Sequence, residues 1–223
     1  MTRYRASLLA LSFLLPALAS AEPAAPAAAA ASAAATPEAD DPSHVVGRLH
    51  EALLGVMKDA KTLGYEGRAA RLTPVLQAVF DLPFMAEKSV GRHWETAGEQ
   101  NQKDLVATFS RFTVANYAGR FDGWSGQAFR TLGVEPSTQG TMLVRTHLDE
   151  PKEEGVDLNY RLREVDGHWR IIDIYLNGTV SELALRRSEY SALIQRESFK
   201  ALLAKLDERI ADLARPSESQ KQL

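Results

Sequence analysis

Apolar and polar residues alternate with a period of two through much of the second half of the chain, and this pattern predicts β-strands. The connections between the alternating segments carry Pro, Gly and charged residues, which are typical of antiparallel hairpins. In one segment an apolar side is opposed by a polar and charged side, so we expect that strand to be half solvated. The apolar side of that segment consists of Val156, Leu158, Tyr160 and Leu162. The four expected strands lie at about 127–134, 141–148, 156–165 and 168–176.

The strand expected at 168–176 has the clearest β pattern, because it is rich in Ile, Tyr and Trp. Strict alternation divides its side chains into two sets, Ile172, Ile174 and Leu176 on one side and Trp169, Ile171, Asp173 and Tyr175 on the other. Both sets are largely apolar, so we expect a central strand covered on both faces. Alternation leaves open which set faces a pocket, and we favour the first.

The first half of the chain carries apolar residues at the spacing of three and four that is typical of amphipathic helices. Polar and Gly residues supply the expected helix boundaries. The first helix is expected to have a Ser43 N-cap and to stop at Gly64, and Thr73-Pro74 suits either the start of the second helix or a kink in it. The third is expected to have an Asp81 N-cap and to stop at Gly91. A capping box at Thr96–Glu99 is expected to start a long helix that ends at about Arg120.

Two further helices are expected after the strands, with Ser181 and Ser198 as N-caps. The second has a strong apolar stripe and ends at Arg215-Pro216. A run of helices followed by a run of strands favours an α+β fold.

The N-terminal residues resemble a secretory signal peptide rather than part of the fold. Arg3 and Arg5 precede the short apolar run Leu8–Leu18, and Ala19-Ser20-Ala21 fits a cleavage site. No Cys follows the apolar run, so a bacterial lipoprotein anchor is not expected. We therefore expect export from the cytoplasm, with a signal peptide at 1–21, a disordered Ala/Pro-rich leader at 22–43, a folded domain at 44–215 and a disordered tail at 216–223.

The composition excludes several kinds of chemistry. The chain has no Cys, which removes disulfides, thiolate metal sites and Cys nucleophiles. The formal charge is −3 and becomes −5 once Arg3 and Arg5 leave with the signal peptide, which argues against a nucleic-acid partner. The five His residues show no metal-ligand spacing, and the segment Gly123–Gln127 lacks the final Gly of a nucleophile elbow. We expect neither a metal nor another cofactor, and no enzymatic activity.

Charged residues near apolar segments allow two interpretations each. Asp173 lies within an apolar strand and is expected to be a hydrogen-bond or ion-pair hub, with a catalytic base as the alternative. Arg186, Arg187 and Arg196 either contact lipid headgroups or an acidic partner, or form an ordinary solvated helix face, which is the simpler interpretation. The aromatic and aliphatic stripes likewise either fill the core or line a pocket, and from pattern alone a filled core is the simpler interpretation.

The order of elements from Val45 to Arg215 resembles the toluene-tolerance (MlaC) family of periplasmic lipid carriers. The resemblance is carried by Phe80-Asp81-x-x-Phe84-Met85-Ala86 with Gly91 and Trp94, by Phe109, Phe112 and Tyr117, by Trp169–Ile174, by Asn177–Ser181, and by Tyr190 with Phe199-x-x-Leu202-Leu203-x-x-Leu206. The segments Leu63-Gly64-Tyr65 and Asp81–Ala86 look closest to the hopanoid-associated HpnM branch. Two departures are Glu197-Ser198, where a Gly is common, and Asn177, where the phospholipid branch often has an acid.

The resemblance implies an NTF2-like fold, in which a curved antiparallel sheet of about four strands is wrapped by N- and C-terminal helices around an apolar cavity. It implies a periplasmic shuttle that carries a hopanoid or phospholipid between an inner-membrane lipid transporter and an outer-membrane acceptor. The alternatives are an NTF2-like enzyme that acts on a hydrophobic small molecule with Asp173 as base, and a structural adaptor with a filled core. The expected lipid-binding residues are Val79, Phe80, Phe84, Met85, Val106, Phe109, Phe112, Thr113, Tyr117, Val144, Tyr160, Ile172, Ile174 and Leu176.

Overall fold

The computed structural model describes residues 41–151 and 153–215. An antiparallel sheet begins the second half of the domain. The expected signal peptide, the leader up to residue 40 and the tail at 216–223 lie outside the described residues. The sheet has the order β1-β2-β3-β4-β5. Its strands are β1 (Ala128–Pro136), β2 (Met142–Asp149), β3 (Val156–Val165), β4 (His168–Leu176) and β5 (Val180–Ser181). The four expected strands are confirmed, whereas β5 is too short to produce a periodic signal.

Helices precede and follow the sheet, which confirms the α+β fold. None of the helices in the described ranges has the length and hydrophobicity required to cross a membrane. They are α1 (Pro42–Lys58), α2 (Ala60–Val79), α3 (Leu82–Val90), α4 (His93–Thr96), α5 (Glu99–Arg120), α6 (Glu182–Arg196) and α7 (Phe199–Leu213), with a 3-10 turn at Thr138–Gly140.

Five of the expected helix boundaries are confirmed, and one of them is the end of the long helix α5 at Arg120. The Asp81 carboxylate accepts a hydrogen bond from the Phe84 amide at 3.2 Å and caps α3, which ends at Gly91 with φ 54°. The Ser181 and Ser198 hydroxyls accept from the amides three residues further along, at 2.9 Å and 3.1 Å, and cap α6 and α7. These side chains satisfy amide donors that the first helical turn leaves without partners.

Three other expected boundaries were wrong because a stronger local signal lies close by, namely the Ser43 cap, the Gly64 stop and the Thr96–Glu99 capping box. Asp41, not Ser43, caps α1, since its carboxylate accepts from the Ser43 amide at 3.2 Å and Pro42 suits the first helical position. The first helix ends at Lys58, and Gly64 is instead a kink with φ 59° inside α2.

The expected second helix starting near Pro74 is therefore the latter part of α2, with Pro74 inside it. The capping box is also wrong, because Thr96 belongs to α4 and its hydroxyl donates to the His93 carbonyl at 3.3 Å. Gly98, with φ 79°, precedes α5 without a side-chain cap.

The helices bury one face of the sheet. Helices α1, α2, α3 and α6 all contact β4, whereas α5 packs mainly against α2, α3 and α7. Directly opposed residues in an antiparallel sheet point to the same face, so the cross-strand pairs identify the buried side. Its fully buried members are Val144, Tyr160, Leu162 and Ile171, which join residues of α1 and α2 such as Leu49, Leu53, Leu72 and Leu76 in the core.

A β-bulge in β4 changes the expected division of its side chains. Arg161 pairs with Asp173, but Leu162 pairs with Ile171, so Ile172 is the extra residue. Ile174 pairs with Tyr160, which places Ile171 and Ile174 on the same buried face. The expectation of strict alternation was wrong here, because it assigned Ile171 to the side of Asp173 and Ile172 to the side of Ile174.

The carboxylate of Asp173 joins the end of the sheet to the start of α6. It is 7% exposed and accepts hydrogen bonds from the Ile174 amide at 2.8 Å, the Ser181 hydroxyl at 2.6 Å and the Leu183 amide at 3.1 Å. Leu183 lies in the first turn of α6, where amide donors and the helix dipole both favour a negative charge. The interpretation of Asp173 as a hydrogen-bond hub agrees with this geometry.

We expect Asp173→Asn to lower the free energy of unfolding by about 1–3 kcal/mol, because a charged acceptor of buried hydrogen bonds is replaced by a neutral amide. Urea unfolding measures the change. Asp166→Asn is the matched control, since Asp166 is exposed in the β3–β4 turn with φ 51°, which Asn adopts readily. A D173N midpoint equal to that of the wild type would contradict the structural role.

Candidate functional site

A cavity of about 410 Å³ lies between α5 and the buried face of β3 and β4. Helices α1, α3 and α6 and the loop after α5 complete its wall. Its apolar lining consists of Met57, Phe80, Met85, Phe109, Tyr117, Phe121, Leu148, Val156, Leu158, Tyr160, Ile174, Leu176 and Leu183. Its polar and charged lining consists of Thr113, Asn116, Arg120, Asp122, Gln127, Glu150, Glu182 and Arg186, together with Gly123.

The periodicities of helix and strand bring these side chains together. Phe109, Thr113 and Tyr117 lie four residues apart and therefore form a line along one side of α5. The hydroxyl of Thr113 donates to the Phe109 carbonyl at 2.9 Å, so this lining group is satisfied within its own helix. On the opposite wall, Leu158 and Tyr160 are two residues apart on β3 and share a face.

Phe80 is held at the cavity by the backbone of β4. It forms an isolated bridge with Ile171, and the amide of Asp81 donates to the Ile171 carbonyl at 2.9 Å. The Asp81 carboxylate also accepts from the guanidinium of Arg163 at 2.5–2.7 Å. The junction between α2 and α3 is therefore tied to the sheet at the point where Phe80 enters the cavity wall.

Aromatic rings form a connected group at the wall of the cavity. The ring of Tyr117 lies 5.8 Å from that of Phe80 and 5.7 Å from that of Phe121, measured between ring centres. Phe121 in turn lies 6.5 Å from Phe129, which stacks on the imidazole of His50 at 3.9 Å. Burial raises the pKa of the Tyr117 hydroxyl, so this group stays neutral at ordinary pH.

Tyr160, which lines the cavity, forms a buried polar pair with His50, which does not. The His50 Nε2 and the Tyr160 hydroxyl lie 3.1 Å apart, and the two residues are 6% and 1% exposed. Burial lowers the pKa of His50 to about 4 and raises that of Tyr160 well above its usual value. Both groups are therefore neutral near pH 7 and satisfy one another, which lets them lie beside an apolar cavity without an uncompensated charge.

Some of the charged residues that line the cavity form hydrogen bonds or ion pairs with neighbouring side chains. The Glu150 carboxylate accepts from the Gln127 side chain at 3.0 Å, while the Glu182 carboxylate lies 3.8 Å from the guanidinium of Arg186. No group of His, Asp and Glu within the described ranges is arranged to hold a metal ion. An apolar cavity with charged groups at its rim suits a molecule that is apolar along most of its length and polar at one end.

The structure brings together eight of the expected lipid-binding residues and places six elsewhere. Those that line the cavity are Phe80, Met85, Phe109, Thr113, Tyr117, Tyr160, Ile174 and Leu176. Those outside its lining are Val79, Phe84, Val106, Phe112, Val144 and Ile172. The apolar stripes are broader than the cavity, so part of each stripe packs against other elements.

Individual placements explain the six residues outside the lining. Val79 and Val144 are fully buried in the core, and Val106 packs partly buried against it. Phe112 is also buried, with the guanidinium of Arg186 5.0 Å from its ring centre. The guanidinium of Arg163 lies over the ring of Phe84, with its central carbon 4.0 Å from the ring centre. Ile172 is the bulge residue described above and is buried outside the main core cluster.

Sequence reasoning missed several lining residues that the same periodicities would have included. Val156 and Leu158 share the apolar side of β3 with Tyr160, and Asn116 and Arg120 continue along α5 at a spacing of four. The loop residues Asp122, Gly123 and Gln127 carried no comparable signal. Asp173 is not part of the cavity lining, and its three hydrogen bonds account for its burial.

We expect His50 to make the stability of the protein depend on pH below neutrality. The imidazole of the unfolded chain gains a proton near its usual pKa of 6.5, whereas the buried native imidazole stays neutral down to about pH 4. As the pH falls through this window, protonation favours the unfolded state by up to about 3 kcal/mol. Urea unfolding between pH 7 and pH 4 measures this loss of stability.

The matched variant is His50→Gln, which keeps hydrogen-bonding capacity towards Tyr160 but does not titrate. We compare how steeply the free energy of unfolding changes with pH in the two proteins. A difference in packing that adds the same free energy at every pH does not affect this slope. The loss of stability between pH 6.5 and pH 4 should be smaller in H50Q by about the amount given above. Identical slopes in both proteins would contradict the assignment to His50.

Comparisons with known proteins agree with this fold. A family model described as "MlaC protein" matches residues 48–208. The structure is similar to that of a phospholipid-binding protein from Ralstonia solanacearum in complex with a phospholipid, with a TM-score of 0.68 and 20% sequence identity over 78% of this chain and 99% of that chain. A search of curated proteins found no significant match. The family model covers well over half of the sequence, and the chain therefore belongs to the MlaC protein family.

Proposed function

We propose that this protein is a lipid carrier that holds the apolar part of one lipid molecule in the cavity between α5 and the sheet. The observation that carries the proposal is the cavity itself, which is apolar along α5, β3 and β4 and charged at its rim. Membership of the MlaC family and the phospholipid complex of the Ralstonia protein support the same conclusion. A structural adaptor with a filled core agrees less well with a cavity of about 410 Å³.

Burial of apolar surface is sufficient to retain such a ligand. Each buried methylene contributes about 0.8 kcal/mol, so a long acyl chain or a polycyclic lipid is held by contact area alone. The cavity volume lies within the range of about 300–1,000 Å³ that is typical of small-molecule sites. This mode of binding requires no catalytic group, and the carboxylate of Asp173, the base in the alternative enzyme hypothesis, is engaged in three hydrogen bonds away from the cavity.

We extend the proposal to the cellular role that the sequence suggests. The expected signal peptide and the family resemblance support a periplasmic carrier that receives lipid from, or delivers it to, an inner-membrane transporter and an outer-membrane acceptor. The cargo is a phospholipid or a hopanoid, since the Ralstonia protein binds a phospholipid while the Asp81–Ala86 segment looks closest to the hopanoid-associated branch. Lipid extraction and mass spectrometry of purified protein distinguish these two classes.

We expect Leu158→Trp to reduce lipid binding by at least about tenfold, equivalent to 1.4 kcal/mol, because the indole would occupy space that the lipid needs. Leu158 lines the cavity from β3 and is only partly buried, so the larger ring has room within the hollow. The measurement is the affinity of delipidated protein for a fluorescent fatty acid, together with the amount of lipid that copurifies.

Val134→Trp is the matched control for this substitution. Val134 is 39% exposed on β1 and lies outside the cavity lining, so the same side chain is added without filling the hollow. V134W should bind lipid like the wild type, and thermal unfolding should show both variants folded. Undiminished binding by folded L158W would argue against the cavity as the lipid site.

A further inference from the structure

A second hollow, of about 430 Å³, lies beside the cavity, between α5, α6 and α7. The two hollows share four lining residues, which are Asn116, Arg120, Glu182 and Arg186. Six of its ten lining residues are charged, three of them Arg and three of them acidic, and we call this hollow the α5–α7 groove. Its remaining residues are Phe112, Leu185, Glu189, Arg209, Asp212 and Leu213. The mainly apolar cavity and the more charged groove therefore share a wall of four polar side chains.

Arg186 lies on the wall that the two hollows share, and it has hydrogen-bonding capacity to spare. Its side chain is only 19% exposed, and its guanidinium carbon lies 5.0 Å from the Phe112 ring centre and 5.9 Å from that of Phe109. Its nearest carboxylate, Glu182, is 3.8 Å away, and its contact with the Tyr190 hydroxyl is long, at 3.4 Å. A guanidinium has five N–H donors, so these two distant partners leave most of its donors available.

Arg120 supplies a second cation at the same place. It lies in the last turn of α5 and forms no hydrogen bond or ion pair with another residue of the described ranges. The guanidiniums of Arg120 and Arg186 both act on the hydroxyl of Tyr117, where each opposes the larger effect of burial on its pKa. The two cations therefore lie within electrostatic range of the same phenol at the rim of the cavity.

The rest of the rim is acidic or neutral. Among the described residues that line the cavity, Arg120 and Arg186 are its only Lys or Arg side chains. The side towards β2 and the loop after α5 has Asp122, Gln127 and Glu150, and the last two are hydrogen-bonded to each other. A negatively charged group would meet only like charge on that side, whereas the side of α5 and α6 has the two cations Arg120 and Arg186 beside one acid, Glu182.

The other arginines considered from the sequence lie elsewhere. Arg187 packs against Gly91, where an added Cβ would lie 2.8 Å from its Nε. Arg196 lies near the end of α6, is 70% exposed and pairs with Glu197 at 3.3 Å. Neither residue lines the cavity or the α5–α7 groove.

We propose that Arg186 and Arg120 bind the phosphate of a lipid headgroup, which occupies the α5–α7 groove while the apolar chain occupies the cavity. This inference rests on the proposed function and adds the orientation of the ligand and the chemical class of its polar end. A guanidinium binds phosphate oxygens through two parallel N–H donors, and the apolar surroundings of Arg186 strengthen that interaction. Glu182 keeps Arg186 in place without using up its donors.

The test compares two ligands that share one saturated acyl chain, a lysophosphatidylglycerol and a monoacylglycerol. Their affinities are measured by calorimetry for delipidated wild-type protein, Arg186→Gln, Arg120→Gln and Arg196→Gln. We expect R186Q to weaken binding of the lysophospholipid by about 10- to 100-fold and R120Q by about threefold or more, because charge-assisted hydrogen bonds to phosphate are lost. Binding of the monoacylglycerol should be unchanged in both.

R196Q is the matched control, since it removes the same charge from the same helix outside both hollows. It should bind both ligands like the wild type. Equal loss of both ligands in R186Q, or no loss of either, would overturn the inference. If R186Q does not fold, R120Q carries the test alone, because that side chain is exposed, and an unselective R120Q would overturn the inference.

Two further arms separate the possible failures. Inorganic phosphate alone should show no measurable binding, because the acyl chain of the lipid supplies most of the affinity. If phosphate alone does bind and R120Q or R186Q abolishes that binding, the site is a free-phosphate site and the headgroup assignment is overturned. If wild-type protein binds neither acyl ligand, the proposed carrier function itself fails. If the wild type binds both ligands and the arginine variants do not weaken binding of the lysophospholipid selectively, only the headgroup assignment fails.

Discussion

An unfilled apolar space has to be held open against the tendency of a protein core to close around it. Voids in a core are costly, at about 24 cal/mol per Å³, so the helices would settle onto the sheet unless other contacts kept them apart. Two connections to the sheet contribute to this frame. The Asp81 amide binds the Ile171 carbonyl of β4 and the Asp81 carboxylate binds Arg163 of β3, while Asp173 of β4 binds Ser181 and the first turn of α6. Helix α5 packs mainly on other helices and lines the cavity opposite the sheet.

The distribution of polarity follows from the same frame. The side chains that α5, β3 and β4 present to the cavity are mainly apolar. The Tyr160 hydroxyl among them is paired with the buried His50, and both groups are neutral. The charged residues lie where elements end, at the last turn of α5, the first turns of α6 and the following loops. An acyl chain therefore finds apolar contact along the cavity. Among the described residues that line this cavity, the cations that a negatively charged end could meet are Arg120 and Arg186.

Periodicity predicted the elements well, because each buries one regular face. The four strands, the long helix α5 and the two closing helices are confirmed, as are the Asp81, Ser181 and Ser198 caps. The failures have local causes. Ser43 was a plausible cap, but Asp41, two residues earlier, has a carboxylate that accepts the amide hydrogen bond. Thr96 was another, but Gly98, two residues later, has the backbone freedom that the start of α5 requires. In β4, a bulge at Ile172 interrupts the alternation of side chains.

The cavity was harder to predict than the fold, because apolar character does not distinguish lining from filling. Val79 and Phe80 are adjacent and both buried, yet only Phe80 lines the cavity. Phe109 and Phe112 lie on the same stripe of α5, yet Phe112 faces the α5–α7 groove. The family resemblance, rather than the pattern itself, favoured a hollow interior.

Native mass spectrometry of the full chain, purified without detergent, shows whether the interior is occupied by a lipid. A carrier whose interior is held open should retain lipid, so the account predicts a species heavier than the protein alone by the mass of one bound lipid, which is released on collisional activation. A spectrum that shows only the mass of the protein, both as purified and after incubation with lipid vesicles, would contradict it.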